Sequence, residues 1–314
     1  MRRIFLVCAC LAATEAYAFG TINMAGQNAE HEKITRAALG ELGPKTLDEL
    51  AGKKGTFGAV GAPDRPGRGL LADSAAHCDN GDYLDVKSYP QSKAEAQAKL
   101  ETCRDAMFAN FDRALAAAGE LAELDPAKTA LNCLFDAKTG SAKCRVLDAL
   151  GLVFHASQDF YSHTNWVDKA GPTPVGAENP PELAQSGLAP WIDPGADAEF
   201  PDGLISGCFV SKPESAFCNY GGVGPIASKN RVKHSALNKD TGPIGPTGAT
   251  GKGTSARGKH SGNFERAVAA AIADTRAKWD LFKARVTETY GPTESSRIIC
   301  ALETDAAGDC AGSD

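Results

Sequence analysis

An all-α fold is what this sequence predicts, and three observations predict it. Apolar residues recur every three to four positions over four segments. No stretch sustains the alternation of a half-buried strand. Gly-Pro pairs and Pro/Gly-rich runs separate the periodic segments.

The segments follow in order. "HEKITRAALGEL" puts Ile34, Ala37, Ala38 and Leu42 on one face, and Gly43-Pro44 follows as a stop. Residues 93–124 are rich in Ala, Leu, Lys and Glu, with Met107, Phe108, Phe111 and Leu115 at helical spacing. "AKCRVLDALGLVFHASQDFYSHTNWVD" continues in that style, with Val146, Leu150, Val153 and Phe154 as expected core. The last helix is "NFERAVAAAIADTRAKWDLFKARVTETY", ended by Gly291-Pro292. Between helices, residues 170–207 hold repeated Pro and Gly and predict an extended surface loop. "GPIGPTGATGKG" at 242–253 has a collagen-like period too short for a triple helix, which predicts a flexible loop. The expectation is one helical domain over 19–314, with loop insertions near 170–207 and 241–258.

The first 18 residues have the order of a signal peptide: Arg2 and Arg3, an apolar core, then "AYA" ending at Ala18. Cleavage there would leave Phe19 as the new N-terminus and place the chain outside the cell or in the periplasm. Beyond the leader no apolar run is long enough to span a membrane. Ten cysteines are present, and Cys8 and Cys10 would leave with the leader. The remaining eight allow 105 pairings. Their spacing suggests local loops: Cys78 with Cys103, Cys133 with Cys144, Cys208 with Cys218, Cys300 with Cys310. No C-x-x-C pair supports a cysteine-bound zinc instead. The net charge of −6 is spread without a long block, which argues against capture of duplex nucleic acid or of an anionic membrane.

The chemistry concentrates in "FHASQDFYSHTNW". His155 and Asp159 stand four residues apart on a predicted helix and project from one face, and His163 follows after four more. Imidazole with carboxylate suits zinc, although one such pair is often only a hydrogen-bonded couple in a core. The other histidines strengthen the metal reading. His31 opens the first helix, His77 lies in "AAHCDNGDY" with Asp64 thirteen positions earlier, and His234 lies in "KHSALNKD". Only His260 lacks an acidic or amide companion at useful spacing, and it is expected to face solvent. Tyr161, Ser162 and Asn165 are placed either to fix the histidines or to pack and cap the helix.

"HASQDFYSHTNW" resembles the motif of the Het-C/CinY-type proteins, which look related to secreted zinc-dependent phospholipases C and fungal single-strand nucleases. The resemblance implies a helical fold with a cluster of zinc ions and a fixed ligand order, which the chain follows through Phe19, His31, Asp64, His77, His155, Asp159, His163 and His234. It covers most of the mature chain in short islands. Asp64, His77, His155 and Asp159 would hold the first zinc. Asp159 would bridge to a second, held by His31 and by the α-amino nitrogen and carbonyl of Phe19. His163 and His234 would hold the third. Here the chain departs from the pattern, which has a carboxylate four residues after the last histidine. Asn238 stands there, and Asp240 two further on. Asn is a poor zinc ligand, so either Asp240 reaches in from a non-helical turn or the centre holds two zinc ions instead of three.

Closely spaced metals suit phosphodiester hydrolysis, with Asp64 as the base the resemblance implies. The expected function is a phospholipase C-like hydrolase acting on phospholipid head groups, which would bring the protein to a membrane surface. A single-strand nuclease is the alternative chemistry, and an incompatibility or toxin-like protein with structural zinc the non-enzymatic one. The "VSKPESAFCNYGGVG" stretch lacks a phosphate-loop arrangement, and no G-x-S-x-G elbow supports a serine esterase. Trp166, Trp191 and Trp279 are expected to pack or to anchor loops.

Overall fold

The computed structural model describes residues 19–23, 27–135, 140–209, 217–218, 226–227 and 229–310. The predicted leader, 1–18, and most of the stretch from Val210 to Gly224 lie outside the described residues.

The described chain is mainly helical. In order come α1 (Glu30–Ala38), α2 (Pro44–Ala51), the one-turn α3 (Ser74–His77), α4 (Lys93–Ala118), the one-turn α5 (Pro126–Thr129), α6 (Ala142–His163), the one-turn α7 (His234–Leu237) and α8 (Ala256–Lys259), and α9 (Asn263–Glu303). Caps fix the long helices where the sequence provides them. Ser92 and Glu95 form a reciprocal capping box at the start of α4, and the Ser141 hydroxyl accepts from Cys144 N at the start of α6.

Both Gly-Pro pairs do more than stop a helix. α1 ends at Ala38, and Pro44 then occupies the first turn of α2, where a missing N–H costs nothing. The helix expected to finish at Gly291 only kinks there, where that residue takes φ 74°, and it resumes through Pro292 to Glu303. This second arm buries Ile298, Ala301 and Leu302 against the main core. The 242–253 segment, expected as a flexible loop, forms a hairpin of β3 (Ile244–Gly245) with β4 (Gly248–Ala249). Its base is held by Asn28, which donates to Gly242 O, and by Glu30, which accepts from Gly242 N. The only other strands among the described residues are β1 (Phe217–Cys218) and β2 (Ile226–Ala227), paired antiparallel.

Helix α6 is the axis of the fold, packed between α4 and α9. Only Arg145 and Leu152 along it escape full burial. Its first half, apart from Lys143, Arg145 and Asp148, is apolar and joins a core with α2, α4 and α9 through Val146, Leu150, Val153 and Phe154, as expected. Trp279 belongs to this core, and Trp166 and Trp191 to a second one around Phe160 and Tyr161. The second half of α6 is buried and polar, with His155, Ser157, Gln158, Asp159, Ser162 and His163 all out of solvent. Burial of polar groups is costly unless each finds a partner, so this half needs a dedicated set of partners.

One glycine decides how close those partners come. A Cβ on Gly151 would stand 2.5 Å from the carbonyl carbon of Ala59, so only glycine lets the 59–64 segment lie against α6. The four disulfides match the pairings suggested by spacing: Cys78–Cys103, Cys133–Cys144, Cys208–Cys218 and Cys300–Cys310. No helix among the described residues is long and apolar enough to cross a membrane.

Candidate metal centre

Five histidines and four aspartates converge on the polar half of α6. α1 brings His31, and a 3-10 turn, Ala62–Asp64, brings Asp64. α3 ends on His77, α6 supplies His155, Asp159 and His163, and α7 opens with His234. Asp79 and Asp240 come from turns just beyond α3 and α7.

Asp159 is the centre. Its Oδ2 lies 2.9 Å from His77 Nδ1 and 3.1 Å from His155 Nε2, and its Oδ1 lies 3.3 Å from His31 Nε2 and 3.8 Å from His163 Nε2. Each carboxylate oxygen therefore faces two imidazoles. Asp64 Oδ1 stands 3.9 Å from both His77 and His155, while its Oδ2 accepts a hydrogen bond from Thr21. Beyond Asp159, Asp240 faces His163 Nε2 at 3.3 Å and His234 Nε2 at 3.0 Å. Phe19 is fully buried with its ring edge-on to His31. The next residue ties the segment down, since Gly20 O accepts from His31 N and Gly20 N donates to Asp240 O.

Hydrogen bonds outside the cluster assign the imidazole protons. A main-chain carbonyl can only accept. His163 Nδ1 lies 2.8 Å from His77 O and His77 Nε2 lies 3.2 Å from Leu70 O, so both outer nitrogens carry hydrogen. For His31 the assignment passes through Gln158. The Thr275 hydroxyl donates to Ala271 O, so it can only accept from Gln158 Nε2, which also donates to Thr35. Gln158 Oε1 must then accept from His31 Nδ1, 2.7 Å away. The inner nitrogens of His31, His77 and His163 are left as lone pairs turned towards carboxylates.

Lone pairs facing carboxylates repel unless a cation or a proton lies between them. His31 Nε2, Asp159 Oδ1 and His163 Nε2 are buried with no hydrogen-bond partner, and His77 Nδ1 approaches His155 Nε2 to 3.0 Å. Orphaned inward donors of this type fit divalent zinc, for which imidazole and carboxylate are ordinary ligands. Three sets, His31/His155/Asp159, Asp64/His77/His155 and Asp79/His163/His234, each bring their ligand atoms within 4.8 Å of one another.

Without a cation, protons take that place. Burial alone would lower the pKa of His77 and of His234, but the facing carboxylates outweigh it and raise both to about 9. His31 and His163 are also raised against burial by their aspartates, whereas burial keeps His155 below its ordinary value. Burial would raise Asp159, yet the imidazoles of His155, His163 and His31 hold it well below the carboxylate range. Zinc must displace these protons. At pH 7, zinc binding to the metal-free protein should release protons, and apparent affinity should climb with pH until about 9. The metal-free fold should show the opposite trend. Unfolded histidine titrates near 6.5, so the stabilisation from protonated His77 and His234 is complete below that pH and is lost as pH rises through about 9. Calorimetric titration in two buffers of different ionisation heat, with melting curves of the metal-free protein, measures both. Binding at pH 7 without proton release would contradict the assignment.

Asp240, and not Asn238, is brought to His163 and His234. The reason is local: α7 is one turn long and Asn238 leaves it with extended ψ, so position i+4 no longer shares a face with His234. The turn is pinned by Lys239, whose buried ammonium donates to Thr164 O and Leu237 O and pairs with Asp168 at 2.9 Å. That turn directs Asp240 inward, where Ser162 donates to it at 2.6 Å. Of the other proposed helpers, Asn165 ties the 181–205 loop to α6 and Tyr161 accepts from Ala189 N. His260 caps α8 away from the cluster and is half-buried, not fully exposed. Thr21, Gln158 and Asp79 were not singled out from the sequence. Asp79 lies 3.1 Å from His234 Nδ1 and 3.4 Å from His163 Nδ1. Its only trace in the sequence is its place two residues after His77, in a turn where Cys78 and Asn80 have positive φ and no period applies.

No protein-family model, curated protein or solved structure matches the chain.

Proposed function

We propose that the chain is an exported, zinc-dependent hydrolase of phosphodiesters, of the phospholipase C-like kind that the Het-C/CinY-type resemblance suggests. The observation that carries this reading is the row of unpartnered inward atoms, His31 Nε2, Asp159 Oδ1 and His163 Nε2, inside a buried cage of imidazoles and carboxylates. His31, His77, His155, Asp64 and Asp159 would hold one pair of ions, with Phe19 completing it after leader removal, and His163, His234 and Asp240 a third. Bound there, the zinc ions would acidify water and offset charge on the phosphoryl oxygens.

The residues themselves supply direction and proton handling. Asp64 and His77 keep 8% and 6% exposure, whereas His31, His155 and Asp159 keep none, so substrate would approach from the Asp64 side. Thr21 fixes Asp64 Oδ2 and leaves Oδ1 facing the imidazoles. There Asp64 would orient the attacking water and take its proton as oxygen bonds to phosphorus, then return it to the departing alcohol oxygen. The net charge of −6 favours a compact head group over a polymeric anion.

Elemental analysis of the mature protein is expected to find two or three zinc ions per chain. The same preparation should release a phosphorylated head group from phosphatidylcholine, and a chelator should stop it. Cleavage of single-stranded DNA alone would move the protein to the nuclease reading. Full zinc with neither activity would leave zinc a structural role.

A further inference from the structure

Asp79 has no place in the ligand order implied by the resemblance, yet it is 2% exposed and faces two of the histidines. The His163/His234 pair is flanked by carboxylates on both edges. Asp79 Oδ1 lies on the Nδ1 edge, 3.1 Å from His234 and 3.4 Å from His163. Asp240 lies on the Nε2 edge, at 3.0 Å and 3.3 Å. A cation shared by the two imidazoles would sit on one edge only.

The proton on His163 selects the edge. Its Nδ1 faces the main-chain oxygen of His77 at 2.8 Å and must donate there, so its lone pair is on Nε2, towards Asp240 and Asp159. A shared cation then takes Nε2 of His234 as well, which leaves His234 Nδ1–H to donate to Asp79 Oδ1. A carboxylate accepting from the far nitrogen fixes the tautomer and ring orientation of a metal-binding histidine and raises its basicity. We propose that Asp79 is a positioning residue that holds His234, and through its nearby charge His163, with Nε2 turned to a cation shared with Asp240. The inference rests on the metal reading above and adds a residue that touches no cation itself.

Three measurements test it. Nitrogen-15 histidine spectra of the zinc-loaded wild-type protein should show His163 and His234 protonated at Nδ1 and metal-bound at Nε2. Metal bound at Nδ1 of either would make Asp79 a ligand and overturn the assignment. Zinc titration of Asp79→Ala should show one site weakened roughly 10- to 100-fold but still filled at higher zinc, with the others unchanged. Asp79→Asn, whose amide oxygen still accepts one hydrogen bond, should lie between that variant and wild type. Wild-type affinity in Asp79→Ala would refute the positioning role. Because the spectra use the wild-type protein, a variant that fails to fold leaves the test intact. Failure of the metal reading is separately visible, since the wild-type protein would then bind no zinc in the same titration.

Discussion

Asp159→Ala should leave the protein short of more than one zinc per chain. Hydrolysis should fall by more than the roughly 100-fold that losing a merely orienting neighbour costs. Among the described residues no other carboxylate faces four imidazoles, two on each oxygen. Its removal unlinks His31 from His77 and His155 and removes the nearest negative charge from all three. In the metal-free state the same change breaks a fully buried charge cluster, where losing one partner typically costs about 3–5 kcal/mol. Zinc content by elemental analysis is the first measurement, with His260→Ala as the control, since His260 lies outside the cluster. Equal zinc in the two variants would remove Asp159 from the centre.

Gly151→Leu should damage stability and activity together, although residue 151 touches no ligand. Even a Cβ at this position would stand 2.5–2.7 Å from the carbonyl carbon, Cβ and carbonyl oxygen of Ala59. Backbone cannot swing aside as a flexible side chain can, so the 59–64 segment must lift from α6. Overpacking of this kind costs about 1–3 kcal/mol and occasionally more. Asp64 rides on that segment, so the variant should lose hydrolysis while it keeps the zinc nearest His163 and His234. Thermal unfolding and zinc content, read beside activity, separate the two effects. An unchanged melting temperature with unchanged activity would show that the close approach of Ala59 to α6 has no such role.

The parts of this molecule legible in its sequence are those governed by helical period. Val146, Leu150, Val153 and Phe154 mark the buried apolar half of α6, and His155, Asp159 and His163 continue the same spacing into its polar half. Cystine pairing was legible because each bridge closes a local loop. Punctuation was ambiguous, since Gly-Pro ends one helix and equally suits the start of the next, as at Pro44 and Pro292. Residues placed by turns left no period to find. Asp79 follows a left-handed Cys78, and Asp240 is directed inward by a lysine whose partner, Asp168, lies seventy-one positions away. The Thr275–Gln158–His31 relay joins three distant helices, and only the folded chain sets its polarity.

The bridge between Cys78 and Cys103 has a further consequence. Cys78 stands between His77 and Asp79, and the bond fastens that turn to α4. At the far side of the cluster, His234 N donates to the carbonyl of Cys208, itself half of a second bridge. The two cystines and the candidate cation ligands thus share the same two short stretches of backbone. Opening these two bonds would remove the covalent ties on the segments that present His77 and His234. All four sulfurs lie buried, Cys78 and Cys103 within the core around Phe160, so reduction would require that packing to open first.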